Sequence, residues 1–406
     1  MTGPLLVTAS TAVSALGAGV AAHREALRAR RSGLRPNDYE AATGGWIGRV
    51  EGVEGHALPE ALAGFDCRNN RLAAMALGSD GFAEAATAAR DEYGADRVAV
   101  VLGTSTSGVQ AAEEAYRARD PATGALPPGF NYGGTLDIAS LGHFVRAALG
   151  LRGPALVVST ACASSARCFA DAAHLIAAGV CDAAVVGGAD SLCRMTLQGF
   201  ASLELISPGP CRPCDAGRAG ISIGEAAGFA LLERPRGGGP RGDGAPRRGG
   251  GPAMRLLGWG ATSDAYHMSA PHPLGTGAIG AMRAALRRAG LAPGDVDWIN
   301  LHGTGTRAND AMEDLAVAEV FGDAVPASST KGWTGHVLGA CGIVEAVIAG
   351  LCMEEGFVAG CLGVETLDPA FRSRIAVDNA ARPVRRVVSN SFGFGGVNSS
   401  LVLGLA

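Results

Sequence analysis

The chain has 406 residues, of which 48% are hydrophobic and 18% are charged, and its formal net charge at pH 7 is -4. This composition is too apolar for a disordered protein, and the length exceeds that of most single domains, so we expect a globular protein built from two fused or duplicated units. The small negative charge and the lack of a basic run with interleaved aromatic residues argue against nucleic-acid binding.

Two apolar stretches have to be distinguished from targeting or membrane segments. Residues 4–22 lack a charged leading region and are interrupted by Ser, Thr and Gly, so they predict a strand and a loop and not a signal peptide. Residues 336–353 are too few to span a bilayer comfortably, and they include Glu345. We therefore expect a cytoplasmic protein with no membrane span.

Short apolar runs alternate with longer helical patterns along the chain. The strand candidates are residues 98–102, 156–159, 183–187, 229–232, 298–301 and 387–388. This alternation predicts an α/β protein with largely buried sheets. A Gly-, Pro- and Arg-rich stretch at 236–252 has no apolar periodicity. We place the boundary there, with one half over residues 1–240 and the other over residues 250–406.

One cysteine stands at a predicted strand-to-helix turn. Residues 156–160 predict a strand, Cys162 follows it, and an apolar helix then continues until close to Gly179. Unpaired N–H groups at a helix N-terminus stabilise a thiolate, so we expect a lowered pKa and a nucleophile usable at neutral pH. The same N–H groups could bind an oxyanion. Cys168, later in the helix, is interpreted as a packing residue.

The ten cysteines are scattered through apolar segments without regular spacing, which predicts reduced thiols. Cys211 and Cys214 form a C-x-x-C pair, but no second pair with ligand spacing accompanies them. Neither a zinc site nor a redox motif is therefore favoured, and no bound metal is expected.

In the second half, a predicted strand at 296–301 leads into the sequence HGTGT at 302–306. Its glycines let a ligand approach the imidazole of His302 closely. Asp310 and Glu313 have the spacing of a capping box, so we interpret them as structural residues that open a helix through Val320.

Lysine occurs once in the chain, at Lys331, and every other residue in the Lys and Arg total is arginine. Such a chain is expected to keep lysine only where a compact ammonium is needed in a confined site. His336 follows five residues later and is predicted to open an apolar helix, where the local positive potential disfavours the charged imidazole. We interpret the other histidines as surface or packing residues: His23, His56, His143, His174, His267 and His272.

A cysteine at a helix start, two histidines in Gly-rich turns, a lysine beside the second histidine and a GFGG loop at 393–396 together resemble the elongating β-ketoacyl-acyl carrier protein (ACP) synthases of types I and II. The similarity extends from VTASTAVSALG near the start to SNSFGFGGVNSSLVLG at the end. It implies a thiolase-like fold with duplicated halves in α-β-α-β-α layers. It also implies decarboxylative condensation of an acyl-ACP with malonyl-ACP through an acyl-Cys162 intermediate.

The segment GISIGEAAGFALLER is similar to synthases of specialised pathways, such as aryl polyene or polyketide assembly. The resemblance implies no cofactor, because the substrates are carried on the phosphopantetheine arm of ACP. It implies ACP as a partner, and either a homodimer or a heterodimer with a second ketosynthase-like subunit.

The resemblance also implies a role for individual residues. Cys162 would be the nucleophile, and neutral His302 and His336 would donate hydrogen bonds to the thioester oxygen. Lys331 would orient its neighbours, and Phe394 would act as a gate and share the oxyanion hole with Cys162. Thr304 and Thr306 are predicted to bind substrate beside His302. Thr104, Ser105 and Thr106 follow the strand at 98–102 and are predicted to bind substrate along the acyl tunnel, with ordinary loop polarity as the alternative. Arg68 and Arg71 lie where the family places docking cations for the acidic ACP, with an ordinary solvated face as the alternative.

Three alternatives stay open at this point. A thiolase-like CoA acyltransferase would carry a second catalytic cysteine in the final Gly-rich loop, where this chain has none. A non-catalytic partner subunit of a ketosynthase heterodimer would not need Cys162, His302 and His336 together. A thiol oxidoreductase built on Cys211 and Cys214 would exchange disulfides without Cys162.

Overall fold

The computed structural model describes residues 3–235 and 247–406. The strands are β1 Leu5–Ser14, β2 Gly17–Ala18, β3 Arg35–Pro36, β4 Trp46–Gly48, β5 Val98–Gly103, β6 Ala155–Val158, β7 Ala183–Asp190, β8 Ile223–Gly224, β9 Ala226–Glu233, β10 Met254–Ser263, β11 Trp298–Asn300, β12 Pro326–Ser328, β13 Phe357–Val358, β14 Arg374–Ile375, β15 Ala380–Ala381, β16 Arg386–Gly393 and β17 Val397–Leu405. The α-helices are α1 Gly19–Ala29, α2 Arg68–Leu77, α3 Phe82–Tyr93, α4 Val109–Arg117, α5 Ser140–Ala148, α6 Ser164–Ala177, α7 Arg194–Ser202, α8 Thr276–Ala289, α9 Arg307–Phe321, α10 Lys331–Thr334 and α11 Cys341–Glu355.

The main sheet has the strand order β14-β12-β11-β16-β17-β10-β1-β9-β7-β5-β6, and it contains two equivalent sets of five strands, with β14 added beyond β12 and β2 paired with β1. In the first half, β6, β5 and β7 are parallel, and β9 and β1 continue antiparallel. In the second half, β12, β11 and β16 are parallel, and β17 and β10 continue antiparallel. The halves join where Leu5, Leu6 and Val7 of β1 pair with β10.

Helices α6 and α11 pack against each other and against strands of both halves, so they form a central layer. Helices α2, α3 and α5 cover the outer face of the first half, and α8 covers the outer face of the second half with α9 beside it. Three hydrophobic clusters fill the spaces between these layers. The predicted α/β architecture, with duplicated halves in α-β-α-β-α layers, is confirmed.

The central position of α11 explains its sequence. From Cys341 to Met353 every residue is buried, and a helix that is apolar on all sides is stable only inside a large protein or in a membrane. In the part of the chain that the structure describes, none of the helices is long and apolar enough to cross a membrane.

All six predicted strands occur, with longer bounds for several of them, and the predicted strand at 387–388 is the centre of β16. The central parallel strands β5 and β7 have helices on both faces and are fully buried, which is why their sequences are continuous apolar runs. The edge strand β6 is only partly buried. The predicted boundary stretch at 236–252 lies largely outside the described residues, so the division into 1–240 and 250–406 stays a prediction.

Candidate active site

A cavity of about 410 Å³ opens where the strand ends of the two halves meet. Cys162, His302 and His336 line it, and the wall includes Phe394 and Thr304. The first half therefore contributes the thiol, and the second half contributes both imidazoles.

Cys162 lies between the end of β6 and the start of α6, as predicted. Ala161 has a φ of 48°, in the left-handed region that is uncommon for a residue with a side chain, so the chain turns sharply just before the cysteine. The Ser164 hydroxyl closes this turn, because it accepts a hydrogen bond from the Thr160 N–H at 2.9 Å and donates one to the Ala161 carbonyl at 2.6 Å. The turn presents a sulfur that is buried but faces the cavity.

The expected lowering of the Cys162 pKa is wrong. Burial raises the pKa of this thiol to about 12, although the Lys331 ammonium and the backbone N–H groups of Phe394 and Cys162 act in the opposite direction. The cause is location: the sulfur is withdrawn from water, and α6 begins only at Ser164. The N–H groups of Cys162 and Phe394 both lie beside the sulfur, so two backbone donors are close to where an oxyanion would form on a carbonyl carbon attacked by this sulfur.

His302 is held by its backbone and by one ring nitrogen. Its N–H and that of Gly303 donate to the Glu313 carboxylate, at 2.8 and 2.7 Å. Its Nδ1 lies 3.4 Å from the Lys331 Nζ. An ammonium can only donate, so Nδ1 accepts and the ring proton resides on Nε2. Burial lowers the pKa of His302 well below its ordinary value, and the charge of Lys331 adds to this effect.

His336 has the same arrangement with different donors. Its backbone N–H donates to the Ser222 carbonyl at 2.7 Å, and the N–H of Leu338 donates to its Nδ1 at 3.3 Å. Its ring proton therefore also resides on Nε2. The prediction that His336 opens a helix is wrong, because a 3₁₀ turn at Leu338–Ala340 intervenes and α11 begins at Cys341. Burial, followed by the charge of Lys331, lowers the pKa of His336 well below its ordinary value.

The structure brings these three side chains together from distant parts of the chain. One ligand atom from each of Cys162, His302 and His336 lies within 4.8 Å of the other two. The two imidazole rings are 5.3 Å apart between centroids and nearly perpendicular, at 83°. Sulfur and imidazole nitrogen are also zinc ligands, but both Nδ1 atoms already accept protein hydrogen bonds, so any ligation would use the Nε2 atoms.

Lys331 lies behind His302, fully buried, and forms an ion pair of 2.6 Å with Glu345 of α11. Burial alone would lower the pKa of the ammonium, but the Glu345 carboxylate raises it above its ordinary value. Burial raises the pKa of Glu345, although Lys331 opposes this, and its Oε2 has no hydrogen-bond partner among the described residues. Glu345 was not predicted as a site residue. The signal was a single acidic residue in the middle of an otherwise apolar helix.

The expected capping box at Asp310 and Glu313 is also wrong. Thr306 caps α9 by accepting a hydrogen bond from the Asn309 N–H at 3.3 Å. The Asp310 carboxylate accepts from the backbone N–H groups of Gly305 and Cys214, at 3.2 and 3.0 Å. Burial raises the pKa of Glu313 to about 7, against the effect of the two N–H groups of the His302 turn that it holds. Both acids support the turn that carries His302.

The GFGG loop closes the cavity beside Cys162. The ring of Phe394 contacts that of Phe200, with centroids 5.6 Å apart. A Cβ at Gly393 would lie 2.8 Å from the Thr160 carbonyl, so only glycine lets this loop approach the cysteine turn so closely. The predicted substrate-binding residues Thr304 and Thr306 line the cavity, and their hydroxyl oxygens are 2.9 Å apart.

The other three predicted substrate-binding residues do not line this cavity. Thr104, Ser105 and Thr106 donate their hydroxyl groups to the carboxylate of Asp190, at 2.7, 2.5 and 2.8 Å. The three hydroxyl groups are therefore engaged in a buried network, and their predicted place along an acyl tunnel stays a prediction. Asp190 also accepts from the Gly339 N–H at 2.5 Å, which ties the end of β7 to the turn after His336. Sequence reasoning missed Asp190, although an acid at the end of a buried strand was a visible signal.

The predicted docking cations are already paired. Arg68 is 7% exposed, and it binds Glu225 at 2.7 and 2.6 Å and Glu54 at 2.6 Å. The prediction for Arg68 is therefore wrong, since a buried and neutralised guanidinium cannot meet an acidic partner. Arg71 is partly exposed but binds both oxygens of Asp66, at 2.5 and 2.7 Å.

The Cys211 and Cys214 pair does not form an exposed redox motif. Both side chains are buried, and the Cys211 thiol donates to the Lys331 carbonyl at 3.2 Å. Burial raises the pKa of Cys211 to about 11. The two cysteines brace the loop that carries Lys331 and the loop that carries His302.

Comparison with known proteins agrees with this geometry. The sequence matches the family description "Beta-ketoacyl synthase, N-terminal domain" over residues 69–236, and "Beta-ketoacyl synthase, C-terminal domain" over residues 254–365. It is 37% identical over 319 residues to the 3-oxoacyl-(acyl-carrier-protein) synthase 2 of Rhizobium meliloti (strain 1021), which covers 75% of this chain and 73% of the relative.

Two solved structures have the same overall fold. The ketosynthase ApeO, in complex with its chain length factor ApeC from Xenorhabdus doucetiae, has a TM-score of 0.87 and 35% identity, covering 100% of this chain and 98% of that chain. The ishigamide ketosynthase/chain length factor has a TM-score of 0.87 and 27% identity, covering 100% of both chains. With its two matched domains, its thiolase-like fold and the buried thiol between its halves, the chain belongs to the β-ketoacyl synthase family of acyltransferases.

Proposed function

We propose that this chain condenses an acyl-ACP with malonyl-ACP to give 3-oxoacyl-ACP, carbon dioxide and free ACP through an acyl-Cys162 intermediate. One observation carries the proposal: a buried thiol shares a cavity with two neutral imidazoles whose Nε2 atoms are both fixed as donors. One small cavity can therefore hold both an acyl group bound to the sulfur and a thioester whose oxygen accepts hydrogen bonds from the two Nε2–H groups.

In the first half-reaction, the Cys162 sulfur attacks the acyl-ACP carbonyl carbon. The oxygen gains negative charge, and the backbone N–H groups of Cys162 and Phe394 stabilise it. The bond to the carrier sulfur breaks, and the proton of the Cys162 thiol ends on the departing carrier thiol. The raised pKa of Cys162 means that the resting group is a thiol, so deprotonation accompanies attack on the bound substrate.

In the second half-reaction, malonyl-ACP loses carbon dioxide and the electrons of the broken bond pass to the thioester as an enolate. The Nε2–H groups of His302 and His336 donate to the oxygen where this charge develops, and so favour the transition state over the ground state. The enolate carbon then attacks the acyl-Cys162 carbonyl. The C–S bond breaks, and the released thiolate takes up a proton from solvent.

Lys331 is assigned an indirect role in this scheme. Burial lowers the pKa of both imidazoles and the charge of Lys331 adds to this effect, so both rings stay neutral. The ammonium also donates to Nδ1 of His302, which keeps the proton of that ring on Nε2. The reaction as proposed needs no cofactor beyond the phosphopantetheine arm of the carrier and no metal.

Partners and pathway are proposed from the relatives. ApeO is a ketosynthase in complex with a chain length factor, and the ishigamide structure is a ketosynthase/chain length factor. Their similarity to this chain supports a ketosynthase of a specialised pathway that uses ACP and a second ketosynthase-like subunit, with a homodimer as the alternative. All ten cysteines lie in the described ranges and are free thiols, which supports a reducing cytoplasm.

The two remaining alternatives have less support. A thiolase-like CoA acyltransferase needs a second thiol in the final loop, where Phe394 and its flanking glycines stand instead. A non-catalytic partner would not need the complete set of thiol, imidazoles and ammonium around one cavity.

The proposal is tested with Cys162→Ala beside the matched control Cys168→Ala. Cys168 lies on α6 and is fully buried. Its thiol donates a hydrogen bond of 3.2 Å to the Ser164 carbonyl, and it does not line the cavity. Intact-mass analysis after incubation with a panel of acyl-ACPs is expected to show one acyl adduct in the wild type and in Cys168→Ala. Cys162→Ala is expected to show none and to form no 3-oxoacyl-ACP. An adduct that persists in Cys162→Ala or maps to another residue would overturn the assignment.

A further inference from the structure

The Nδ1 atom of His336 has two neighbours. The backbone N–H of Leu338 lies 3.3 Å away and the Sγ of Cys341 lies 3.2 Å away. A backbone N–H can only donate, so Nδ1 of His336 is an acceptor and carries no proton of its own. The only proton available for the contact with Cys341 is therefore that of the thiol, and the S–H must point at the ring.

The location of Cys341 keeps that thiol protonated and immobile. It is the first residue of α11, it is 1% exposed, and α11 is packed between the two halves. Burial raises the pKa of Cys341 well above its ordinary value, although the Lys331 ammonium opposes this. The side chain thus presents a permanent, if weak, donor from a rigid helix.

We propose that Cys341 is a positioning residue for malonyl decarboxylation: its S–H and the N–H of Leu338 together hold His336 in the neutral tautomer that carries its proton on Nε2. The inference deepens the proposed function and rests on it. Nδ1 of His302 faces an ammonium, whereas Nδ1 of His336 faces neutral donors, so the thiol has the role at the second ring that Lys331 has at the first.

The tautomer has a consequence for pH dependence. The titratable groups around His336 are Cys162 and His302 in the cavity, Lys331 behind it and Cys341 at its Nδ1. Protonation of the ring would place a hydrogen on Nδ1, against two donors already aimed at it. The Cys341 thiol therefore stabilises the neutral ring. Removal of the thiol is expected to raise the pKa of His336. As the pH is lowered, the ring then becomes protonated, and decarboxylation is lost, at a higher pH than in the wild type.

The experiment compares Cys341→Ala, which removes the hydrogen-bond donor, with Cys341→Ser, which keeps a donor on a side chain of similar size. Cys352→Ala is the control, because Cys352 lies on the same helix, is fully buried and has no contact with the cavity. Carbon dioxide release from malonyl-ACP is measured between about pH 4 and 8 for each protein, because the pKa of His336 lies well below its ordinary value as a result of burial and of the charge of Lys331. Acylation of Cys162 by acyl-ACP is measured separately by intact mass.

Cys341→Ala is expected to slow carbon dioxide release at pH 7 by about three- to tenfold, the worth of one neutral hydrogen bond. The acidic limb of its pH profile is expected to move to higher pH, while its rate of Cys162 acylation stays within about twofold of the wild type. Cys341→Ser is expected to restore both rate and pH profile, and Cys352→Ala to match the wild type. Should alanine lower the yield of folded protein, Cys341→Val fills the thiol volume without a donor and replaces it in the comparison.

The inference is overturned if Cys341→Ala and the wild type share one pH profile, or if the serine variant is as slow as the alanine variant. It is also overturned if both half-reactions slow equally in Cys341→Ala, which is the result of a merely structural role. Failure of the proposed function looks different, because the wild type itself would then release no carbon dioxide and take up no acyl group.

Discussion

The two halves of the molecule have the same strand order and the same strand directions, but their equivalent strand ends carry different chemistry. The loop after β5 carries hydroxyl groups that are bound to Asp190, whereas the equivalent loop after β11 carries His302 at the cavity. The turn after β6 carries Cys162, and the equivalent segment after β12 carries Lys331. Asp190 ends β7, and the GFGG loop follows its equivalent, β16.

This difference separates a supporting half from a reacting half. In the first half, the strand-end polar groups bind one another, so apart from the thiol they are not available to a substrate. In the second half, carboxylates such as Glu313 and Glu345 lie behind the imidazoles and leave the Nε2 atoms free for the cavity. The duplicated fold thus brings equivalent strand ends of the two halves to the same cavity, and the side chains at each strand end determine which of them can react with a substrate.

The largest effect is expected at the Cys162 thiol, because the first half places it at a sharp turn and burial between the two halves raises its pKa. With the pKa raised to about 12, the thiolate fraction rises about tenfold for each pH unit from about 7 to 10, about a thousandfold in all. Alkylation of Cys162 by iodoacetamide, followed by peptide mass analysis, is expected to accelerate throughout that range. Cys162→Ala provides the background rate.

A plateau of alkylation above about pH 8 would contradict this prediction. It would instead support the pKa near neutrality that an isolated helix N-terminus produces. The measurement therefore decides whether burial between the halves or the helix start in the first half controls the pKa of the nucleophile.

The limits of the sequence follow from the same comparison. The α/β layering could be predicted because apolar runs, Gly-rich turns and helix stops are local signals. Cys162, His302, His336 and Lys331 could be chosen because each stands at such a turn or is chemically unusual in this chain. What could not be predicted depends on packing between distant segments. The thiol pKa changes direction because the folded protein buries the sulfur between its two halves.

Pairing of charges was likewise invisible before folding. Arg68 resembled an exposed docking cation, but Glu225 lies 157 positions along the chain and meets it only when β9 packs against α2. Glu345 was noticed only as a charge that argued against a membrane span, since its partner Lys331 belongs to a different element. Asp190 had a suggestive place at a strand end, but its bonds to three hydroxyl groups depend on a neighbouring strand.

The next largest effect is expected at the buried ion pair of the second half. Lys331→Met removes the donor to Nδ1 of His302 and leaves Glu345 buried without a partner charge. Carbon dioxide release from malonyl-ACP is expected to fall about a hundredfold, because a preorganised polar contact to the reacting ring is lost. The free energy of unfolding in urea is expected to fall by about 3–5 kcal/mol.

A double variant separates these two effects. Adding Glu345→Leu to Lys331→Met removes the uncompensated charge, so stability is expected to recover while decarboxylation stays slow. Recovery of decarboxylation in the double variant would contradict the role of Lys331 in holding His302. The ion pair would then contribute to stability alone.

The smallest effect on turnover is expected at the buried ion pair of the first half, which supplies the matched comparison. Arg68→Met leaves the Glu225 carboxylate without its guanidinium, so the free energy of unfolding is expected to fall by about 3–5 kcal/mol, as for Lys331→Met. Glu225 keeps the N–H groups of Val50 and Leu192, at 3.0 and 2.9 Å, which hold it in place. Because neither member of the pair lines the cavity, turnover of the folded protein and its KM for acyl-ACP are expected to stay within about twofold of the wild type. A KM that rises tenfold or more in folded Arg68→Met would restore Arg68 as a docking cation and would show that the supporting half also meets the carrier.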